Sequence, residues 1–176
     1  SIFIGIDGGF APWAGSVLEN IYSNIILVAD LNRVEEAVKR LSRVGIDNTI
    51  GFLEGGIEGW IKAGYEIDKV KSIEVTQFEK EVRDDELIID VRNNGEYDKG
   101  HLVGSHLLPL DNFSNNFINY KANSKYYIHC QGGYRSMIAC SLLKRKGIHN
   151  LIDIKGGFAA IAKDSSLKTI SELVNN

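Results

Sequence analysis

The run Tyr127-Ile128-His129-Cys130-Gln131-Gly132-Gly133-Tyr134-Arg135-Ser136 concentrates the chemistry of this sequence. Apolar residues that end in cysteine, a glycine-containing stretch and then a helical pattern describe a strand, a tight loop and a helix N-terminus. In an α/β sheet that junction is where the strands open to ligands. Successive N–H groups of a tight loop can converge on one point and, with the helix N-terminus, cradle an anion around the sulfur. Gly132 and Gly133 admit the positive φ that such a curl needs. Arg135 adds a permanent positive charge. Together these features favour the thiolate, the nucleophilic form of Cys130, over an inert buried thiol. The expected chemistry is covalent attack by sulfur on a small electrophile.

Other candidates read as structural. His129 precedes Cys130 on the strand and points to the opposite face. His101, in Gly-His-Leu, is not needed as a base if the thiolate is already ionised. Cys140 sits within the following helix and reads as a packed thiol, and Trp13 and Trp60 read as packing residues. Lys144-Arg145-Lys146 closes that helix, where cations complement its dipole. No His, Asp and Glu cluster has metal-ligand spacing, so no metal or other cofactor is expected in this piece of chain.

The elements around the loop read as a parallel α/β sheet. Strand-like runs fall at 25–28, 49–53, 73–75, 87–91, 126–129 and 151–154, and 2–7 reads as an opening strand before a Gly/Pro-interrupted loop. Amphipathic helices are expected at 34–44, at 136–146 and over Leu167, Ile170, Leu173 and Val174, with Gly45 and Gly147 as stops. Thr76-Gln77-Phe78-Glu79 has the spacing of a capping box, and Gly156-Gly157-Phe158 reads as a turn. The strand and helix alternation argues for parallel pairing.

The 176 residues carry 20 Lys and Arg against 23 Asp and Glu, a net charge of −3, which offers no basic field for nucleic acid. No apolar run approaches the ~20 residues of a membrane-spanning helix. Two cysteines make no disulfide framework and point to a reducing, cytoplasmic setting. An internal repeat is also visible. Gly45, Asn48 and Gly55-Gly56 recur as Gly147, Asn150 and Gly156-Gly157. The reading is an incomplete copy at 1–67, a linker at 68–72 and a complete copy at 73–176, with no cysteine at the matching place, Val28 or Ala29, in the first. The chain starts with Ser1, which marks it as a piece of something longer.

The loop 130–135, with Asp90-Val91-Arg92, Glu96-Tyr97, Gly100-His101-Leu102, Gly104-Ser105 and Gly156-Gly157-Phe158, closely resembles a rhodanese domain. The resemblance covers residues 73 to about 163. It implies a sulfurtransferase in which Cys130 carries sulfane sulfur as a persulfide, Gln131, Gly132, Gly133, Tyr134, Arg135 and Ser136 hold the substrate, and Asp90, Arg92 and His101 are structural. Asp90 and Arg92 are expected as an ion pair that anchors loops. Related phosphatases place five residues between cysteine and arginine; here there are four, a smaller ring that favours sulfur over phosphate.

The opening Ile4-Gly5-Ile6-Asp7-Gly8-Gly9-Phe10-Ala11-Pro12-Trp13 and the Gly-Gly-Ile-Glu-Gly-Trp at 55–60 resemble the first of two rhodanese domains fused behind a metallo-β-lactamase-fold persulfide dioxygenase. That resemblance implies an upstream domain in cis that binds iron and oxidises a persulfide to sulfite. The implied partners are small sulfur-containing anions and low-molecular-weight thiol persulfides, and a second copy of the chain is admitted as a partner. An interaction module without catalysis is the competing reading, with a cysteine-dependent phosphatase behind it.

Overall fold

The computed structural model describes residues 1–83 and 85–171, with the side chains of 118 and 171 left out. It divides into two compact units, Ile4–Lys69 and a second that runs from Val70 onward and takes in Ser1–Phe3.

The first unit contains α1 (Phe10–Val17), β1 (Ile25–Leu27), α2 (Leu31–Ser42), β2 (Thr49–Phe52) and α3 (Gly56–Lys62), with β1 and β2 paired in parallel. Alternation places Ile25 and Leu27 toward a small core of Phe10, Ala14, Ala37, Leu41 and Ile46. Residues 2–7 are not a strand, and the expected loop after them is partly α1. Pro12 lies in its first turn, where an N–H would have no intrahelical partner, so the proline that signals a loop is tolerated.

The second unit contains β3 (Lys71–Ile73), α4 (Val75–Glu81), β4 (Leu87–Asp90), α5 (Asn94–Lys99), β5 (Gly100–Leu102), β6 (Ser105–Leu107), α6 (Phe113–Asn116), β7 (Tyr126–His129), α7 (Tyr134–Arg145), β8 (Leu151–Ile154), α8 (Gly157–Asp164) and β9 (Thr169–Ser171). Its central sheet has the order β3-β8-β7-β4-β6, with every pairing parallel. β7 and β8 are buried along their whole length, as strands covered on both faces must be. One face carries Tyr127, Ile152 and Ile154 into a core with Phe78 of α4 and Ile161 of α8. Asp153, between those isoleucines, points to the other face, toward α7.

Lys71 and Ser72 are not linker: they pair with Ile152 and Asp153 as the edge of the sheet. α4 starts at Val75, so Thr76 is inside the helix and caps nothing, and Glu79 instead accepts from the Ser166 N–H at 2.9 Å. Of the expected turn Gly156-Gly157-Phe158 only Gly156 lies in a turn, and Gly157 and Phe158 open α8. The expected last helix is absent over 169–171, where β9 runs antiparallel to β5, with Ile170 opposite His101. Leu173 and Val174 lie outside the described residues.

Candidate active site

Cys130 follows the last residue of β7, and α7 begins four residues later, so strand and helix fix both ends of the loop. The Gly133 N–H donates to Cys130 Sγ at 3.2 Å. Gly133 has φ +102, which only glycine adopts at low cost, whereas Gly132 is not in the left-handed region and has open space around it. The need for positive φ at Gly132 is therefore corrected: the curl is made at one glycine.

The loop is held from behind by α8. The Phe158 N–H donates to the Cys130 carbonyl at 2.7 Å and the Ala159 N–H to the Gln131 carbonyl at 3.1 Å, so the free N–H groups of a helix start bind the loop backbone. A Cβ on Gly157 would stand 2.2 Å from the Cys130 carbonyl oxygen, at φ +57. The Gly-Gly pair visible in the sequence is thus a close approach of two backbones.

Arg135 does not point freely into the loop. Its Nη1 and Nη2 each donate to Glu96 of α5 at 2.6 Å, a two-pronged contact that holds Glu96 below the usual carboxylate range and raises Arg135. Asn93 and Glu96 form a capping box at the start of α5, which fixes Glu96 in turn. Asp90 and Arg92 are both fully buried and joined at 2.7 Å. Arg92 also donates to Gln131 Oε1 at 3.1 Å and to the Gly100 carbonyl at 2.7 Å, and stacks over the Phe158 ring, which ties loop, β5 and α8 together. Loss of one partner from such a pair costs about 3–5 kcal/mol.

His101 lies over the Tyr97 ring at 3.8 Å, and its Nδ1 meets the Tyr97 carbonyl at 2.9 Å, an arrangement of packing rather than of proton transfer to Cys130. His129 is fully buried, and desolvation lowers its pKa, so it is neutral. Burial pushes the Cys140 thiol up. Ser136 donates to Asp153 Oδ1 at 2.6 Å and sits 3.8 Å from Cys130 Sγ. Asp153 escaped the sequence reading because a single carboxylate within Leu-Ile-Asp-Ile looks like one polar residue on a strand. Among the described residues no group of three or more His, Cys, Asp or Glu is placed to hold a metal, and no helix is long and apolar enough to cross a membrane.

Residues 74–164, just over half of the chain, match the rhodanese-like domain family. The chain belongs to the rhodanese-like family. Its rhodanese-like domain is similar to that of a crystallised Staphylococcus aureus rhodanese-like protein, at 30% identity and a TM-score of 0.50, over 56% of this chain and 97% of the other. A Staphylococcus saprophyticus structure agrees at 28% identity and TM-score 0.51, over 56% and 99%. Among curated proteins, the putative sulfur carrier protein YrkF of Bacillus subtilis is 31% identical over 90 residues, 50% of this chain and 49% of that protein. The tRNA uridine(34) hydroxylase of Buchnera aphidicola is 27% identical over 48% of this chain and 29% of its own length. With the uncharacterized Bacillus protein YqhL, matched over 56% of its length, the chain spans about half or less of these relatives. The α/β fold with a parallel central sheet and a rhodanese-like domain points to sulfur transfer or a related activity.

Proposed function

We propose that this chain is a sulfurtransferase in which Cys130 carries sulfane sulfur. The observation that carries the reading is Cys130 Sγ at a strand end, accepting the Gly133 N–H in the four-residue curl before α7, with Arg135 in the first turn of that helix. In the first half reaction the Cys130 thiolate attacks the outer sulfur of thiosulfate, an S–S bond forms, and the old S–S bond breaks to release sulfite. In the second, a thiolate acceptor or sulfite attacks the outer sulfur of the persulfide and the Cys130 thiolate leaves. The charge on the outer sulfur needs N–H donors, and the Gly133 N–H already points at the sulfur. Cys130 is 1% exposed, which restricts its partners to small sulfur anions and low-molecular-weight persulfides. Arg135, shared with Glu96, contributes charge to the site while it fixes α5 against the loop.

The unit Ile4–Lys69 is read as an incomplete first copy. Gly45, Gly55 and Gly56 have φ of +76, +72 and +58, against +90, +75 and +57 for Gly147, Gly156 and Gly157. A Cβ on Gly56 would meet the Ala29 carbonyl at 3.5 Å, where one on Gly157 would meet the Cys130 carbonyl at 2.2 Å, which supports Ala29 over Val28 as the counterpart of the cysteine in this reading. The opening motif and the Gly-Gly-Ile-Glu-Gly-Trp run support a place behind an iron-binding, metallo-β-lactamase-fold domain that oxidises persulfides to sulfite, within sulfide detoxification.

The test is sulfite release from thiosulfate with a thiol acceptor. Turnover that disappears in Cys130→Ala is expected. Equal release by the variant, or hydrolysis of an aryl phosphate by the intact chain instead, overturns the reading.

A further inference from the structure

Behind the loop, Ser136 leads to a buried carboxylate, Asp153, that the sulfur-transfer reading does not use. Asp153 of β8 is 3% exposed. Its Oδ1 accepts from Ser136 of α7 at 2.6 Å and its Oδ2 from Ser72 of β3 at 3.1 Å. The Cys130 thiol donates to Ser136 Oγ at 3.8 Å. Ser136 has one proton to give, and the carboxylate is nearer than its other acceptor, the Gly133 carbonyl at 3.0 Å. With Asp153 ionised, the Ser136 hydroxyl is turned toward the carboxylate and offers only a lone pair to sulfur, which suits the thiol. With Asp153 protonated, all three groups can turn round: the carboxyl donates to Ser136, and Ser136 donates to the thiolate.

We propose that Asp153 is a positioning residue that holds the Cys130 proton, so that carboxyl and sulfur share one negative charge through Ser136. The S–H bond breaks and its proton goes to Ser136 Oγ, while the Ser136 proton passes to Asp153 Oδ1; no proton enters or leaves the protein. The inference rests on Cys130 as the sulfur-carrying nucleophile.

The surroundings suit a shared charge. Burial raises the Asp153 carboxyl above its ordinary range, against the lowering by the Ser136 and Ser72 hydroxyls. The charged and titratable neighbours are few. Lys155, on the residue after β8, pulls Asp153 down but is itself paired with Glu74 at 2.7 Å. Cys140 of α7 feels Asp153, Cys130 and Lys144. On the loop side, Arg135 faces Cys130, Glu96 and Asp111. Ser72 on β3 and Ser136 on α7 supply hydroxyls only, so no cation pairs with Asp153 directly among the described residues.

Two interacting acids lose their protons in two steps that belong to the pair. The experiment follows iodoacetamide modification of Cys130 in the intact chain across pH by peptide mass. The reagent needs no sulfur donor, so failure of sulfur transfer and failure of this proposal are separable. The rate is expected to rise about tenfold per pH unit, to stay flat over about one unit or more where the pair holds one proton, and then to rise again. In Asp153→Asn the flat segment disappears and the rate climbs through it. Ser136→Ala shortens the segment and Ser136→Thr restores it. An unmodified protein with no flat segment, or one that persists unchanged in Asp153→Asn or Ser136→Ala, overturns the proposal. A second readout needs no change at Asp153: its labelled carboxyl carbon, followed by NMR, should titrate in two steps in the unmodified protein and in one in Cys130→Ala, because the coupling is reciprocal. Identical titrations overturn it.

Discussion

Two strand-to-helix junctions in this chain sit over the same kind of glycine pair and differ in what lies between strand and helix. After β7 the chain spends Cys130, Gln131, Gly132 and Gly133 on a curl, and the last of these, at φ +102, turns it into α7. After β1 it passes through Val28 and Ala29 to Asp30, an extended residue at φ −60 and ψ 139, and α2 begins at Leu31. One junction has room for inward-pointing N–H groups and a thiol. The other lacks the curl: its N-cap, Asp30, is an extended residue whose side chain makes no hydrogen bond to the helix start. A cradle therefore depends on loop length and on a positive-φ residue at its end, more than on the strand, the helix or the glycine pair, which both junctions possess.

The most severe test of that difference is to move the nucleophile. Ala29→Cys combined with Cys130→Ala should give no thiosulfate-dependent sulfite release at all, because the first junction lacks the curl. Any release by this double variant above that of Cys130→Ala alone would show that the loop is dispensable.

The glycine pair gives the next largest contrast. Gly157→Ala puts a methyl group into the Cys130 carbonyl, and with the left-handed φ it should destabilise the second unit by about 3 kcal/mol or more and cut turnover by over ~100-fold. Gly56→Ala has the same sign of φ but meets the Ala29 carbonyl only at 3.5 Å, so about 1–2 kcal/mol is expected. Hydrogen exchange at the amides of β7 and of β1 reads the two separately. Equal losses would erase the distinction between the two backbone approaches.

Glu96→Gln comes third. It removes the charge that holds Arg135, and a rise of about tenfold in KM for thiosulfate is expected, with little change in fold. The pH dependence has a definite sign. Glu96 is held below its ordinary range, so its contribution to stability is present above the unfolded value and is lost as pH falls through the lowered folded value. The gap in urea midpoint between the unmodified protein and Glu96→Gln should close in that acid window, and a constant gap would contradict the ion pair. The smallest effect is expected at Gly132→Ala, where φ is ordinary and nothing lies within 4 Å: turnover within about twofold of the unmodified chain.

The curl was legible in the sequence because Cys130 and Gly133, whose N–H meets the sulfur, lie three residues apart. The supports were less legible because they come from elsewhere in the chain. Glu96 reads as one acid on a short helix until Arg135, 39 residues away, is seen against it. Asp153 reads as a polar interruption until β8 places it under Ser136. Gly157 shows its function only once α8 abuts the loop. Local patterns also misled where tertiary pairing outweighed them: Leu167 and Ile170 have helical spacing, yet 169–171 pair with β5. In α1, Pro12 and Gly15 mimic a loop although Phe10 and Ala14 carry the helix into a core.

Sulfur carried by Cys130 in its curl is read out by intact mass. The reduced chain is treated with thiosulfate, freed of small molecules and weighed. A gain of one sulfur atom is expected, one that a thiol removes and that Cys130→Ala abolishes. An unchanged mass, or a gain that survives in Cys130→Ala, would contradict it.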